Sequence, residues 1–303
     1  MQHSAGVAET VAIVGTGEMG TAIGRRLREY GAHVRTSLHG RGAASARRVE
    51  AAGLEVRNDD GELIDGAGFL LSIVPPSQAA AVAERFHEAL KAAPIKPLFV
   101  ECNAIAPATV RRIAERLEPT GCGFIDAGII GGPPPARRNP DARRTSIYAS
   151  GKSAPLLERL SAFGLDIELL DERIGSASAL KMCYAGLTKG LTALGSVMIR
   201  AAARNNLAAA LHRELALSQG EMLKLLARRV PDMLPKAYRW IGEMEEIAGF
   251  LEDDPAGAEI FRGAARLYSL LADEVAEKAD SKRREVPQLL NFFAEAKDGG
   301  EPR

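Results

Sequence analysis

The chain is poor in cysteine, in aromatic residues and in long apolar runs, and each shortage excludes a class of protein. Its three cysteines, Cys102, Cys122 and Cys183, are widely spaced, which fits neither a disulfide framework nor a zinc site. Only 5% of its residues are aromatic, so a surface for stacking nucleic-acid bases is not expected. No apolar run reaches membrane-spanning length, and the N-terminus lacks a signal-peptide pattern. We therefore expect a protein of the reducing cytoplasm.

The chain also lacks a dominant charge of either sign. Lys and Arg together number 39, as do Asp and Glu, so the net charge indicates no affinity for nucleic acid or for an anionic membrane. With 303 residues, 46% of them hydrophobic and 26% charged, the composition is typical of a globular protein. This length predicts about two domains. We expect the partner of this protein to be a small molecule.

Two kinds of hydrophobic pattern divide the chain. Short apolar strands alternate with helical patterns over the first half, which predicts an α/β fold with a Rossmann-type doubly wound parallel sheet. From about Gly175 the pattern is helical almost to the C-terminus, which predicts an all-α second domain. We place the domains at residues 1–173 and 174–303.

The predicted elements can be given residue by residue. The predicted strands are Val11–Val14, His33–Ser37, Phe69–Val74, Leu98–Glu101, Gly123–Ala127, Thr145–Ala149 and Asp166–Leu170. The predicted helices include Ala43–Ala52, Gln78–Ala89, Ala108–Leu117, Ala154–Phe163 and one long helix over Gly175–Arg204. The long helix has few charges along its middle, so we expect it to be covered on most sides.

A glycine-rich turn follows the first predicted strand. Gly15, Gly17 and Gly20 occur in the spacing GxGxxG directly behind the apolar run Val11–Val14, and a helical pattern comes next. In such a turn the first glycine turns tightly, the second lets a pyrophosphate approach, and the third lets the helix pack closely on the strand. The helix N-terminus offers free N–H groups to the phosphates. We predict a dinucleotide site formed by Gly15, Thr16, Gly17, Glu18, Met19 and Gly20.

The end of the second predicted strand lacks the acidic residue that usually binds the ribose hydroxyls of NAD. The chain runs instead through Ser37 to Arg41, which could hold a 2′-phosphate by charge-assisted hydrogen bonds. This pattern favours NADP over NAD. The alternative is that Arg41 is an ordinary solvated loop charge.

Two further strand ends carry candidate cofactor contacts. Val74 and Pro75 end the central strand on a rigid turn that would line the channel between adenosine and nicotinamide, or would simply break the strand. Asn103 follows the next strand and is placed to contact the nicotinamide ribose, unless it only satisfies its own turn. We expect the neighbouring Cys102 to be a small buried residue rather than a nucleophile.

A second glycine-rich strand end, Ile130-Gly131-Gly132, precedes three prolines. Flexible glycine followed by stiff proline predicts a shaped loop over the substrate. We assign Ile130, Gly131 and Gly132 to substrate contacts, together with Thr188 on the long helix. Trp240 is a further candidate, either as pocket lining or as a core residue.

Lys181 lies among small and apolar residues about two turns into the long helix. At helical spacing it shares one face with Ala185, Thr188 and Thr192, and Tyr184 lies beside that face. An amine that is partly desolvated near a cationic nicotinamide would lose its proton more easily, as a general base for an alcohol or a general acid for a carbonyl requires. The alternative is a lysine that snorkels from an amphipathic helix.

These motifs, in this order, resemble those of the β-hydroxyacid dehydrogenases, the group that contains 6-phosphogluconate and 3-hydroxyisobutyrate dehydrogenases. The resemblance covers nearly the whole chain. Residues 178–190 and 238–247 are similar to the branch whose C-terminal domain has no assigned function (DUF1932). The resemblance implies that Lys181 is the catalytic lysine and that the glycine-rich turn and Asn103 line the cofactor. It also implies a homodimer whose helical domains pack together and close each active site.

The sequence departs from that family at two places. Members that bind hydroxy acids usually carry Ser-Gly-Gly where this chain has Ile130-Gly131-Gly132. They also carry an Asn pair where this chain has Tyr184 and Ala185. The pocket is therefore expected to be more apolar, which favours a bulkier or less acidic substrate.

Together these features predict an NADP-dependent oxidoreductase that acts on a CH–OH or C=O group. Lys181 would be the general acid or base, and Tyr184 would hydrogen-bond the same substrate oxygen. One alternative is a reductase of imines or pyrrolines, for which Lys181 would be less necessary. The other is an NADP-binding sensor without catalytic activity.

Overall fold

The computed structural model describes residues 9–139, 144–276 and 285–294. The chain divides into two compact units, Met1–Met182 and Cys183–Arg303. The long helix, Ser176–Arg204, crosses this division, so about its first two turns belong to the first unit. The boundary predicted at residue 173 lies just before this helix.

One sheet forms the frame of the first unit. Its strands, in chain order, are β1 (Thr10–Val14), β2 (His33–Thr36), β3 (Glu55–Val56), β4 (Phe69–Ser72), β5 (Leu98–Glu101), β6 (Phe124–Ile130), β7 (Ser146–Ser150) and β8 (Asp166–Leu169). Their spatial order is β3-β2-β1-β4-β5-β6-β7-β8, so the winding direction reverses between β1 and β4. This reversal confirms the doubly wound α/β fold.

The sheet is parallel except for one pair. Strand β6 pairs with β7 in antiparallel register, with Asp126 opposite Ser150 and Ile130 opposite Ser146. The expectation of an entirely parallel sheet was therefore wrong at this point. A parallel neighbour is usually reached through a helical crossover, and the described part of the connection, residues 131–139 and 144–145, contains no helix.

Helices cover both faces of this sheet. They are α1 (Glu18–Glu29), α2 (Ala43–Ala52), α3 (Asp60–Ile64), α4 (Ala79–Ala92) and α5 (Pro107–Leu117), together with a 3₁₀ helix over Ala154–Phe163. Side chains alternate along β1, so Val11 and Ile13 pack with α1 and α2 while Ala12 and Val14 pack with α4 and α5. Burial on both faces explains the continuous apolar runs of these strands.

Three local features differ from the sequence expectations. The two-residue strand β3 and the one-turn helix α3 were not predicted, because segments this short carry no period. Asp59 caps α3 by accepting hydrogen bonds from the N–H groups of Gly61 and Glu62. Residues Ala154–Phe163 form the predicted helical segment as a 3₁₀ helix.

The second unit is helical throughout its described residues. Its helices are the larger part of α6 (Ser176–Arg204), α7 (Ala208–Ser218), α8 (Gly220–Met233), α9 (Ala237–Phe250), α10 (Pro255–Val275) and α11 (Glu285–Ala294). Small residues let α6 pack closely: a Cβ added at Gly190 would lie 3.1 Å from the Phe261 ring of α10, and one at Gly195 would lie 2.5 Å from Leu226 of α8. No helix of the described residues is long and apolar enough to cross a bilayer.

One face of α6 is left exposed by the described residues. Leu187 is 77% exposed and Leu194 is 60% exposed, and Tyr184, Leu191 and Met198 continue the same row at spacings of three and four residues. Most other positions of α6 are buried or half-buried, so the expectation that it is covered on most sides holds apart from this face. We call these five residues the α6 stripe.

Candidate functional site

The glycine-rich turn lies where the winding of the sheet reverses, between the carboxyl ends of β1 and β4. Gly15 has a φ of +129°, which L side chains rarely adopt, and a Cβ added there would lie 1.9 Å from the carbonyl oxygen of Ile73. At Gly20 an added Cβ would lie 2.0 Å from the carbonyl oxygen of Gly15. The fold itself therefore requires the first and third glycines.

Gly17 has no such structural reason. Its φ of −76° suits any residue, and a Cβ added there would meet no atom of the described chain within 4 Å. Open space above the N-terminus of α1 is where a pyrophosphate would approach the backbone. The absence of a side chain at Gly17 therefore fits a ligand better than it fits the packing of the protein.

Thr16 gives a second indication that this turn suits a ligand. Its side chain is buried, yet Oγ1 has no hydrogen-bond partner among the described residues. A buried hydroxyl without a partner is costly, and a bound ligand would supply one. The N-cap residue of α1 is Gly17, which has no side chain. The N-terminus of α1 therefore has no side-chain capping hydrogen bond. Glu18 and Met19 form the first turn of α1.

Ser37 and Arg41 follow β2, which ends at Thr36, one residue earlier than predicted. Ser37 is buried, whereas Arg41 is exposed and donates a 3.2 Å hydrogen bond from Nη2 to Oε1 of Gln78. Gln78 follows β4, so this bond joins the loops after β2 and β4. The partner is a neutral amide, which leaves the guanidinium charge of Arg41 uncompensated by that contact.

Two further arginines at this edge were missed by the sequence analysis. Nη2 of Arg85 donates to Oγ of Ser37 at 3.2 Å, and Arg85 also pairs with Asp60. Nε of Arg48 donates to the carbonyl oxygen of Thr16 at 3.0 Å. Both arginines lie within helices, where their position in the sequence carries no signal that distinguishes them from solvated helix charges.

Asn103 connects the ends of β4 and β5. Its Oδ1 accepts a hydrogen bond from the N–H of Val74 at 2.5 Å, and its Nδ2 donates to Oγ of Ser72 at 2.9 Å. The side chain is buried. Both amide atoms therefore hold the turn before Pro75 in place, and contact with the nicotinamide ribose stays a prediction.

Glu101, at the end of β5, is a fully buried carboxyl that was not assigned a role. Its Oε1 accepts the N–H of Asn103 at 2.9 Å, while Oε2 has no partner among the described residues. Burial raises the pKa of Glu101 from 4.5 to about 8, because desolvation penalises the charged form more than the hydrogen bonds stabilise it. Asp126, its register neighbour on β6, adds a smaller upward contribution. Glu101 is thus mainly neutral at pH 7.

Lys181 reaches the carboxyl end of β6. Its Nζ donates a 2.5 Å hydrogen bond to the carbonyl oxygen of Ile129, and the side chain is half-buried. Ile129 is followed directly by Ile130-Gly131-Gly132, so the structure brings the predicted general acid or base and the predicted substrate loop together. Gly131 has a φ of +124°, and a Cβ there would lie 2.6 Å from the carbonyl oxygen of Arg144.

The remaining candidates lie in the second unit. Tyr184 is 43% exposed on α6, and Oγ1 of Thr188 donates to the carbonyl oxygen of Tyr184 at 2.8 Å. Trp240 packs edge-on against Tyr268 at 5.3 Å between ring centroids, and Nζ of Lys189 lies 5.0 Å from its ring centroid. Trp240 is therefore part of a cluster between α6, α9 and α10. Roles in substrate binding stay predictions for Thr188 and Trp240.

Two family models match this chain. Residues 10–161 match the NAD binding domain of 6-phosphogluconate dehydrogenase, and residues 202–271 match a domain of unknown function, DUF1932. The first match covers half of the chain and the whole glycine-rich turn.

Solved structures resemble the chain over most of its length as well. A conserved protein of unknown function, described as similar to 3-hydroxyacid dehydrogenases, is 27% identical with a TM-score of 0.63, over 89% of this chain and 98% of its own. A 3-hydroxyisobutyrate dehydrogenase of Mycobacterium tuberculosis is 19% identical with a TM-score of 0.69, over 94% and 99%. An imine reductase of Streptomyces aurantiacus is 17% identical with a TM-score of 0.53, over 94% and 99%. Other solved relatives hold NAD⁺ or NADP⁺.

The fold, the glycine-rich turn and the family match together define the class of protein, an NAD(P)-dependent oxidoreductase. The chain belongs to the family of the 6-phosphogluconate dehydrogenase NAD-binding domain, with a DUF1932 domain in its helical half. The family resemblance that the sequence motifs indicated is thereby confirmed.

Proposed function

We propose that this protein is an NADP-dependent oxidoreductase that acts on a CH–OH or C=O group of a small substrate, with Lys181 as general acid or base. The observation that carries this proposal is the bond from Nζ of Lys181 to the carbonyl oxygen of Ile129. It holds a half-buried amine beside the loop Ile130-Gly131-Gly132, at the carboxyl edge of the sheet where doubly wound folds bind their ligands.

The cofactor would be held at the switch point of the sheet. The backbone at Gly15–Gly20 and the first turn of α1 would bind the pyrophosphate, with Oγ1 of Thr16 gaining a partner. Ser37 and the exposed Arg41 would bind a 2′-phosphate, because no carboxylate at the end of β2 would repel it. These contacts support NADP as the cofactor. The channel towards the nicotinamide end would be lined by Val74, Pro75 and Asn103.

The chemistry divides between the cofactor and Lys181. A bound nicotinamide dinucleotide supplies a site that accepts or donates hydride. The Lys181 amine would take the hydroxyl proton of an alcohol substrate, or return it to a carbonyl oxygen in the reverse direction. Tyr184 follows Lys181 by three residues on α6, and we propose that its hydroxyl bonds the same oxygen.

Substrate recognition would differ from that of enzymes for simple hydroxy acids. Ile130 occupies the position where a serine is usual, so a carboxylate would lose a hydrogen bond there. A less acidic substrate would fit such a pocket better, because an apolar side chain leaves a buried carboxylate unpaired. The same argument favours a second candidate, the reduction of an imine, since an imine needs no carboxylate site.

We also propose that the protein is a cytoplasmic homodimer. The α6 stripe supports this, because a continuous row of exposed apolar side chains on one helix is typical of an interface. The three cysteines are free thiols, which supports a reducing compartment.

The proposed activity is tested with two substrate panels and one observable, the nicotinamide absorbance. The first panel contains 3-hydroxy acids and their esters with NADP⁺, and the second contains cyclic imines with NADPH. Oxidation of a hydroxyl substrate supports the proposal, and turnover of imines alone supports the second candidate. Tight NADPH binding without turnover on either panel would contradict both and leave a cofactor-binding sensor.

A further inference from the structure

Asp126 on β6 is a buried carboxylate whose oxygens accept four hydrogen bonds. Oδ2 accepts from the N–H of Gly175 at 2.8 Å, from the N–H of Ser178 at 3.1 Å and from Oγ of Ser150 at 3.0 Å. Oδ1 accepts from Oγ of Ser178 at 2.7 Å. Three of these four donors belong to the segment in which α6 begins, so Asp126 ties the start of α6 to the sheet.

Ser150 on β7 completes this arrangement. While its hydroxyl donates to Asp126, its Oγ accepts the N–H of Ala177 at 3.0 Å. The first N–H groups of a helix have no partner within the helix, and here side chains from β6 and β7 satisfy three of them. A negative charge at this end is also favoured by the helix dipole. We call Asp126, Ser150 and Ser178 the α6 latch.

One step further along β6, Gly128 permits close contact with the same helix. A Cβ added at Gly128 would lie 2.9 Å from the carbonyl oxygen of Ala177 and 3.2 Å from Cβ of Lys181. Glycine is thus required at position 128 by the close approach of α6. The backbone conformation does not require it, since the φ of Gly128 is not positive. The next residue, Ile129, accepts the hydrogen bond from Lys181.

We infer that Asp126 is a positioning residue that acts, through the α6 latch, on the amine of Lys181. Strand β6 contacts α6 at three successive places. Asp126 bonds the N-terminus of α6, Gly128 lies against its first turn, and the carbonyl oxygen of Ile129 accepts from Nζ of Lys181. The α6 latch holds the N-terminus of the helix, and Gly128 allows the helix to lie close to β6. The amine of Lys181 is thereby placed within hydrogen-bonding distance of the carbonyl oxygen of Ile129. The inference rests on the proposed role of Lys181 in catalysis.

The geometry makes this coupling direct. Ser178 precedes Lys181 by three residues, so the latch and the amine are less than one helical turn apart. A shift of the helix start by a fraction of an ångström is therefore transmitted to Lys181. Such a shift changes the distance between Nζ of Lys181 and the carbonyl oxygen of Ile129, which is 2.5 Å in the structure.

The test measures Lys181 itself and needs no substrate. The purified protein is treated with acetic anhydride at one pH, and the acetylation rates of Lys181 and of the exposed Lys224 are followed by peptide mass spectrometry. In Asp126→Ala we expect acetylation of Lys181 to accelerate about fivefold, the order expected for loss of one net hydrogen bond. Lys224 should keep its rate. Asp126→Asn should restore slow acetylation, because its amide oxygen can accept the same backbone N–H groups.

Two further variants provide the same test if Asp126→Ala does not fold. Gly128→Ala pushes α6 away from β6 without changing any latch residue. Ser178→Ala removes only the bond to Oδ1. Both should accelerate acetylation of Lys181, Gly128→Ala more strongly. Asp254→Ala is the matched control, since Asp254 caps α10 by accepting the N–H of Gly257 and that helix carries no part of the site. It should leave Lys181 unchanged.

Two results separate this inference from the proposed function. Wild-type acetylation rates of Lys181 in folded Gly128→Ala and Ser178→Ala would overturn the positioning role. Undiminished turnover in Lys181→Met would remove the lysine from catalysis, while the acetylation rates would still report whether the latch positions its amine.

Discussion

Nζ of Lys181 donates a hydrogen bond of 2.5 Å to the carbonyl oxygen of Ile129, across 52 positions of the sequence. The bond joins the first turns of α6 to the end of β6, immediately before the loop Ile130-Gly131-Gly132. A backbone carbonyl oxygen accepts from the amine and so fixes its position beside that loop. This arrangement suits a group that must meet the oxygen of a substrate bound there.

The exposed Arg41 is the proposed contact for a 2′-phosphate. Arg41→Ala should weaken NADPH binding by about 10- to 100-fold, the range for loss of a charge-assisted hydrogen bond, and should leave NADH binding unchanged. Calorimetric titration with each cofactor measures both values. Arg137→Ala is a suitable control, because Arg137 is likewise an exposed loop arginine. Equal losses for NADPH and NADH would contradict the assignment.

Gly17 should matter for the ligand and not for the fold. Gly17→Ala adds a methyl group in open space, so the free energy of unfolding should change by less than about 0.5 kcal/mol. Binding of NADPH should fall at least about tenfold, because the methyl group occupies the path of the pyrophosphate.

Gly15→Ala provides the contrast within the same turn. Its positive φ and the 1.9 Å approach to the carbonyl oxygen of Ile73 should destabilise the folded protein by about 1 kcal/mol or more. Urea unfolding and NADPH titration of both variants check the pair. Unimpaired NADPH binding by Gly17→Ala would show that the turn does not hold the cofactor in the way proposed.

Glu101 should make stability depend on pH. Its pKa in the folded protein, about 8, lies above the ordinary value of 4.5, so between these values the folded state holds a proton that the unfolded state has released. The stability that this proton contributes is complete below pH 4.5 and is lost as the pH rises through about 8. The slope is at most about 1.4 kcal/mol per pH unit.

The variant Glu101→Gln isolates this effect, because glutamine is neutral at every pH. Relative to Glu101→Gln, the wild type should lose stability between about pH 5 and about pH 8 in urea unfolding experiments. If the free energies of unfolding of the two proteins change in parallel across that pH range, the pKa shift of Glu101 is contradicted.

The α6 stripe is the proposed dimer interface. Leu187→Glu should convert the dimer into a monomer in light scattering, because it places a charge among apolar side chains. Leu217→Glu is the matched control, since Leu217 is 86% exposed on α7 and lies outside the stripe. A monomeric wild type, or a dimer that survives Leu187→Glu, would contradict the interface.

Much of the fold could be predicted from the sequence because its helices have a periodic apolar pattern and its buried strands are continuous apolar runs. The helix Ala43–Ala52 and the strand Leu98–Glu101 have the predicted bounds, and α6 begins one residue later than expected. The antiparallel pairing of β7 could not be predicted, since strand direction depends on the path of the intervening loop and not on hydrophobic pattern. The exposure of the α6 stripe could not be predicted either, because its residues have the same apolar pattern in the sequence as a buried helix face.

The site was predictable where a motif requires a particular backbone. Gly15 and Gly20 are needed by close contacts, and the GxGxxG spacing reports them. Asp126 and Glu101 were missed as functional candidates, because a buried carboxyl group within or at the end of an apolar strand has no periodic signature. Their importance depends on what the fold brings to them, the start of α6 in one case and the turn at Asn103 in the other.

The most direct test of the account is the turnover number of Lys181→Met beside that of the wild type, on a substrate found with the two panels. We predict a fall of about 10²- to 10⁴-fold, the usual contribution of a general acid or base, with NADPH affinity nearly unchanged. Lys224→Met, at an exposed lysine far along the chain, should retain wild-type turnover. Wild-type turnover by Lys181→Met would contradict the central claim that this amine transfers the substrate proton.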